Sequence, residues 1–226
     1  AAATLTTSGA HDLVLDTNSG TNSGTITITD GASGAINIAP NGSGVAQVGG
    51  SAIKVAGTET IWIPASAMYA STTNGADAEQ IETSAARPDM KVFDFDASTV
   101  QYTQFSVAFP KSWNEGTITY QVYWSPSTTN TGNCIFAMQG VSVGDGDTID
   151  VAYGTQQNIT DAGIGTVEDQ QVSPVSSAMT IGSAAVDTQT YFQFFREASS
   201  GADTFTGESR VLGVKLFFTT DAANDA

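Results

Sequence analysis

Histidine, cysteine and basic side chains are scarce in this chain, and each scarcity removes a class of chemistry. The 226 residues hold one histidine, one cysteine and seven Lys+Arg. The histidine, His11, lies near the start of the chain, so everything beyond residue 56 lacks an imidazole. Ser–His–acid and Cys–His nucleophile arrangements therefore have no base in the larger part of the chain. Cys134 has no second cysteine with which to form an intrachain disulfide. It opens an apolar run with Phe136 and Met138 in phase, which reads as a small core residue. Seven cations face 23 acids, for a net charge of −16 and a pI near 4.1. Such a chain repels phosphate backbones and anionic lipid, so neither nucleic acid nor membrane is an expected partner. No apolar run reaches the roughly 18–20 residues of a membrane span. The chain opens at Ala1 with no methionine and no charged-then-apolar leader, as a processed product or a piece of a longer chain would.

Thr, Ser, Asn, Gln and Gly take the place of the missing charge, a mixture that suits strands with neutral outer faces and tight turns. Two regions follow. In residues 1–56, short apolar pairs recur between Gly/Ser/Asn/Asp turns: Leu13/Leu15, Ile26/Ile28, Ile36/Ile38, Val45/Val48 and Ile53/Val55. Units this short cannot enclose a core alone. One reading is an intertwined trimeric β-stem in which Ile26, Ile28, Ile36, Ile38, Val45 and Val48 point inward to a shared core. The other is a flexible Gly/Ser linker, which has no need of β-branched residues in phase.

Residues 57–226 carry all three tryptophans and longer strands. In Thr117–Ser125, Ile118, Tyr120, Val122 and Trp124 alternate with polar positions, the period of a strand with one buried face. Comparable runs are residues 61–63, 91–95, 103–109, 134–143, 148–154, 190–195 and 210–218. About eight strands without a long helix predict a jelly-roll-like β-sandwich. In the last run Leu212, Val214, Leu216 and Phe218 share one face and Val211 and Phe217 the other. That pattern suggests both faces are covered, one of them by a neighbouring subunit.

Certain segments carry a resemblance. Ile63-Pro64-Ala65 is followed by Thr72-Thr73-Asn74-Gly75, Phe93-Asp94-Phe95-Asp96, Pro110-Lys111-Ser112-Trp113-Asn114-Glu115-Gly116 and a closing Phe218-Thr219-Thr220-Asp221. Together they resemble a family of phage and prophage virion structural proteins, and "INIAPNGSG" (36–44) looks like the slender β-stem of virion fibres and spikes. The resemblance implies a non-enzymatic component of the virion surface that contacts capsid or tail proteins. As a trimeric fibre or spike it would bind a host glycan, as a head-decoration protein it would grip capsomers, and as a tailspike it would degrade glycan. It supplies no catalytic residues.

Four local features could carry chemistry. Asp94 and Asp96, two apart on one strand, could form the paired acids of a glycosidase, or simply an acidic edge. Asp145, Asp147 and Asp150 in "DGDTID" could offer hard oxygens to calcium, although Asp150 stands where an EF-hand has glycine and Gln156 where it has glutamate. An acidic hairpin turn is the competing reading, in which no cofactor is bound. The Gly-rich stretches miss the dinucleotide fingerprint. Trp113, in the "PKSWNEG" turn, could stack on a sugar ring or plug the end of a sandwich.

Overall fold

The structure is a computed structural model that describes residues 9–16, 22, 24–32, 34–48, 51–52 and 56–221. The chain divides into two compact units, Ala1–Val55 and Ala56–Ala226. Among the described residues every regular element is a β-strand, apart from a single 3₁₀ turn at Ala65–Ala67.

In the first unit, β1 (Leu13–Asp16), β2 (Thr25–Ile28) and β3 (Ile36–Ala39) form an antiparallel meander, and β4 (Gln47–Val48) pairs with β5 (Ser51–Ala52). Strand pairing is thus satisfied within one chain. Register sets Leu13, Ile28 and Ile36 in one row and Leu15, Ile26 and Ile38 in the next. Because side chains alternate along a strand, these six aliphatics share one face. In the single chain Leu13 is half-buried, and the other five are bare, from 39% exposed at Ile26 to 70% at Ile36. Val45 is 52% exposed. The side chain of Val48, and Ile53 and Val55 altogether, lie outside the described residues.

The second unit is a β-sandwich of jelly-roll type. Its strands are β6 (Gly57–Pro64), β7 (Tyr69–Ala70), β8 (Asp77–Ile81), β9 (Met90–Phe95), β10 (Tyr102–Val107), β11 (Thr119–Pro126), β12 (Asn133–Val143), β13 (Gln157–Ala162), β14 (Gln171–Val172), β15 (Gln189–Arg196) and β16 (Ser209–Thr220). One sheet runs β13-β12-β15-β10-β7, and the other runs β14-β11-β16-β9-β8 with β6 also on β16. Neighbouring strands are antiparallel throughout. The expected strand at 148–154 is absent, because that segment is a loop.

The inner faces follow the alternation in the sequence: Tyr120, Val122 and Trp124 from β11 meet Phe136 from β12, Phe192 and Phe194 from β15, and Phe105 from β10. Their rings pack edge-to-face and stacked, with Phe95–Phe194 at 5.5 Å, Phe136–Phe194 at 5.8 Å and Trp124–Phe136 at 5.5 Å between centroids. Such pairs add about 0.5–1.5 kcal/mol each beyond the area they bury.

β16 departs from the expected phase. Trp124 pairs with Val211 and Tyr123 with Gly213, so Leu212 is an extra residue in a β-bulge. Ser209 and Val211 point inward before the bulge, and Val214, Leu216 and Phe218 after it. Leu212 is thereby turned to the outer face with Lys215 and Phe217, each half-buried in the single chain.

The same alternation carries Thr190, Phe192, Phe194 and Arg196 inward along β15, which buries a guanidinium completely. Arg196 forks onto Asp203, with Nε to Oδ2 at 3.0 Å and Nη2 to Oδ1 at 2.7 Å. Nη1 donates to the carbonyls of Gly207 (2.6 Å) and Phe95 (3.5 Å), and Nη2 also donates to that of Phe205. Asp203 Oδ2 in turn accepts the Ile135 N–H at 2.9 Å. All five guanidinium donors are thus used. Arg196→Met leaves Asp203 buried without a counter-charge and is expected to lower unfolding free energy by about 3–5 kcal/mol in urea titrations of the full chain. A loss under 1 kcal/mol would show that the pair is dispensable.

Candidate functional site

A groove on the outer face of the six-stranded sheet gathers exposed aromatic, amide and charged groups. It starts from the alternation in β6. Ile61 packs against the core and Ile63 is buried, which turns Trp62 outward. Pro64 pairs with Gly213 across β16, and Tyr123 pairs with Gly213 from the other side. A Cβ on Gly213 would stand 2.5 Å from Trp62 Cη2 and 2.6 Å from Cζ2. The indole therefore lies over a bare stretch of backbone that only glycine allows. Tyr123 braces it edge-on, with centroids 4.9 Å apart at 78°. The ring remains 47% exposed.

Trp62, Tyr123, Leu212, Lys215 and Gln170 line a depression of about 470 Å³. Leu212 and Gln170 also line an adjoining one of about 700 Å³, rimmed by Thr83, Ser84, Arg87, Asp89, Glu168 and Asp169. Two non-glycine residues with left-handed backbone flank it, Ala86 at φ 62° and Glu168 at φ 67°. Conformations of this kind cost of order 1 kcal/mol and persist where the surroundings hold them. Hydrogen bonds fix the loop that carries Arg87: Thr83 Oγ1 donates to the Pro88 carbonyl at 3.0 Å, and Gln80 Nε2 donates to Asp89 Oδ2 at 2.7 Å. The result is an aromatic floor beside a polar rim with both signs of charge. Such a surface can stack on the apolar face of a ring while hydrogen-bonding its hydroxyls.

The residues singled out from the sequence fare differently. Trp113 is 1% exposed, its ring 4.3 Å from that of Phe109, and its backbone bridges to Thr220. The "PKSWNEG" turn folds back on the end of β16, with Asn114 N–H donating to the Thr219 carbonyl at 3.0 Å. Trp113 is a plug, and the sugar-stacking role expected of it is closed off. Trp62 was missed. Its signal was an indole at the outward position of a strand between two inward isoleucines.

Asp94 and Asp96 do not act as a pair. Asp96 accepts from Ser98 N–H (2.7 Å), Ser98 Oγ (2.8 Å) and Thr99 N–H (2.6 Å), so it caps a turn, and the Ser98 bonds foremost hold its carboxyl below the usual range. Asp94 is 5% exposed, with Oδ1 unpartnered and Arg210 Nε 3.9 Å from Oδ2. Burial pushes its carboxyl up to about 6, with Glu208, Glu79 and Asp77 adding to the rise and Arg210 opposing it.

Asp145, Asp147 and Asp150 form no metal cradle. Asp147 Oδ2 accepts the Gly144 N–H at 3.1 Å and closes the turn, while the Asp150 N–H donates to Thr148 Oγ1 at 3.2 Å. Among the described residues no three acidic, histidine or cysteine side chains come together to hold an ion. Cys134 is fully buried, and burial pushes its thiol up to about 12, which leaves it unreactive.

No protein-family model matches the chain, and no curated protein matches it. Among solved structures it is similar to a family 36 carbohydrate-binding module in complex with calcium and xylotriose. That match has 14% identity and a TM-score of 0.36, over 70% of this chain and 98% of that one. The C-terminal family 6 carbohydrate-binding module of LamC, a marine laminarinase from Zobellia galactanivorans, gives the same four values. A structure of the Gx strain of infectious bursal disease virus is similar at 10% identity and a TM-score of 0.36, over 88% of this chain and 42% of that one. At TM-scores this low the likenesses carry no argument about what this chain binds.

Asp94 yields a pH test. Its carboxyl holds a proton more tightly in the fold (about 6) than at its ordinary value of 3.8, so the fold binds the extra proton between those pH values. Stability therefore falls as pH rises through that window. A shift of this size corresponds to a decline of roughly 2–3 kcal/mol between pH 4 and 7. Asp94→Asn is expected to flatten the decline in denaturant titrations at both pH values. An unchanged slope would place the titrating group elsewhere.

Proposed function

We propose that this chain is a non-enzymatic appendage of the virion surface, assembled as a trimer through its N-terminal sheet and binding a host-surface glycan in the Trp62 groove. The observation that carries the binding half is the half-exposed indole seated on Gly213 and braced by Tyr123. Burying a tryptophan is favourable, so one held in water on a prepared seat calls for a ligand. A pyranose suits it, because one face of the ring is C–H-rich while its hydroxyls reach toward Gln170, Thr83 and Ser84. Anchoring aromatics are worth about 2 kcal/mol or more. On a glycan array, Trp62→Ala is expected to weaken binding about thirtyfold, with no new reducing ends released from any bound glycan. Binding that the variant leaves undiminished for every glycan on the array, or reducing ends that accumulate with time, would refute this half.

The assembly half rests on the five aliphatics, Leu15, Ile26, Ile28, Ile36 and Ile38, that the three-stranded sheet leaves in water. A sheet of four-residue strands gains too little from its own pairing to keep such a face exposed. Leu15, Ile26, Ile38 and Val45 border a shallow apolar groove of about 320 Å³ into which a second copy can set its own row. Light scattering is expected to give three times the 23.3 kDa chain mass. Replacing Ile26, Ile28, Ile36 and Ile38 by Ser is expected to give monomers, since each buried isoleucine contributes roughly 2 kcal/mol. A folded wild-type monomer would overturn the assembly.

A further inference from the structure

The outward positions of the five-stranded sheet differ from the rest of this acidic chain. Along β7, β10, β12, β13 and β15 none of them carries a charge. The chain as a whole has 23 acids, so a whole sheet face without one is a selective composition. Ile135, Ala137, Val141, Val143 and Phe195 are apolar and buried there, while amides, phenols and hydroxyls hold most of the remaining outward positions.

They are in register. Tyr69 pairs with Gln104, Gln104 with Gln193, and Gln193 with Gln139, which makes one polar row across β7, β10, β15 and β12. Hydrogen bonds preset the row: Tyr69 Oη donates to Gln104 Oε1 (3.3 Å), Gln104 Nε2 to Ser71 Oγ (3.1 Å), and Gln139 Nε2 to Gln193 Oε1 (2.8 Å). Alongside, Tyr191 Oη donates to Gln189 Oε1 (3.1 Å), whose Nε2 donates to Ser106 Oγ (2.9 Å). The bonds leave Gln193 Nε2 and Gln139 Oε1 unused among the described residues, a donor next to an acceptor at the middle of the face. The phenols sit close enough to feel one another: after burial, Tyr191 raises the pKa of Tyr69, and Tyr69 raises that of Tyr153 in the 144–156 loop.

We infer that this face is a second binding surface, for an extended neutral oligosaccharide lying across the strands. Strands repeat at about 4.8 Å, close to the length of one pyranose in a β-linked chain, so a row with one polar side chain per strand meets one sugar per strand. Neutral hydroxyls exchange hydrogen bonds with amides and phenols without desolvating an ion, whereas an anionic chain would find no cation here. The surface lies on the other sheet from the Trp62 groove and does not depend on it.

The test is calorimetric titration of the full chain with cello-oligosaccharides and with N-acetylglucosamine oligomers of one to six units. Affinity for one series is expected to climb with each unit up to about four and then level. Gln193→Ala and the isosteric Gln193→Glu are each expected to weaken that binding at least tenfold at unchanged melting temperature, while Trp62→Ala leaves it intact. The inference is overturned if neither series binds, if affinity does not depend on length, or if Trp62→Ala removes the binding and the Gln193 variants do not. It is also overturned if Gln193→Glu changes the mass of the assembly, because the face would then be an interface between copies.

Discussion

The sandwich depends on one buried cation. Arg196 reaches a carboxylate on the β15–β16 connection, two carbonyls further along it, and the carbonyl of Phe95 at the end of β9 in the opposite sheet. Asp203 carries the same network to the Ile135 N–H of β12. Two sheets and a long connection are thus tied to one planar group, which stands 5.5 Å from the centroid of the Phe205 ring. Taking the charge out of water is unfavourable, and only the full set of partners offsets it. That requirement makes the arrangement specific. A connection that placed Gly207 or Phe205 elsewhere would leave a buried donor without an acceptor, so competing packings of this end are disfavoured far more than the net worth of the pair suggests.

The groove follows from two small irregularities in β16. The bulge at Leu212 shifts the phase of the strand, and the glycine after it removes a side chain where β6 and β11 come closest to sharing a row. Strand partners also change there, since β9 pairs with residues 209–211 and β6 with residues 213–220. Without the bulge Val211 and Val214 could not both face the core, and without the glycine the indole would have no seat. The Arg196 end is thus fixed by a full set of side-chain and carbonyl bonds, while the outer face of β16 is where regular pairing gives way and ligand-sized space opens.

Much of the architecture was legible because it depends on period-two alternation. In β11 the inward run Tyr120, Val122 and Trp124 follows the alternation of buried and half-buried positions from Thr119 to Trp124. Alternation fails across a bulge, which is why Leu212 was assigned to the wrong face: one inserted residue reverses the phase, and no local composition marks it. The two readings of Trp113, sugar platform or plug, could not be separated in the sequence for a related reason. A tryptophan in a turn is exposed or buried according to where the turn folds, and that is decided by Thr219 and Thr220, a hundred residues away. Asp94 looked like a surface acid because its neighbours in sequence are a buried face. Its own burial comes from β8 and β16 lying on either side. The polar row Tyr69–Gln104–Gln193–Gln139 is assembled from four separated segments and can be recognised only after registers are known.

The absence of charge from the outward positions of the five-stranded sheet has a consequence for the medium in which the protein works. Coulombic contacts fade over a Debye length of about 8 Å at physiological salt and about 3 Å at 1 M. Bonds between neutral amides, phenols and hydroxyls have no such dependence. One face of this sandwich is therefore indifferent to salinity, while the other, with Arg87, Glu168, Asp169 and Lys215 around its groove, is tuned by it. If both faces bind as proposed, the first would hold a neutral ligand equally well in fresh water and in brine, and the second would respond to the difference.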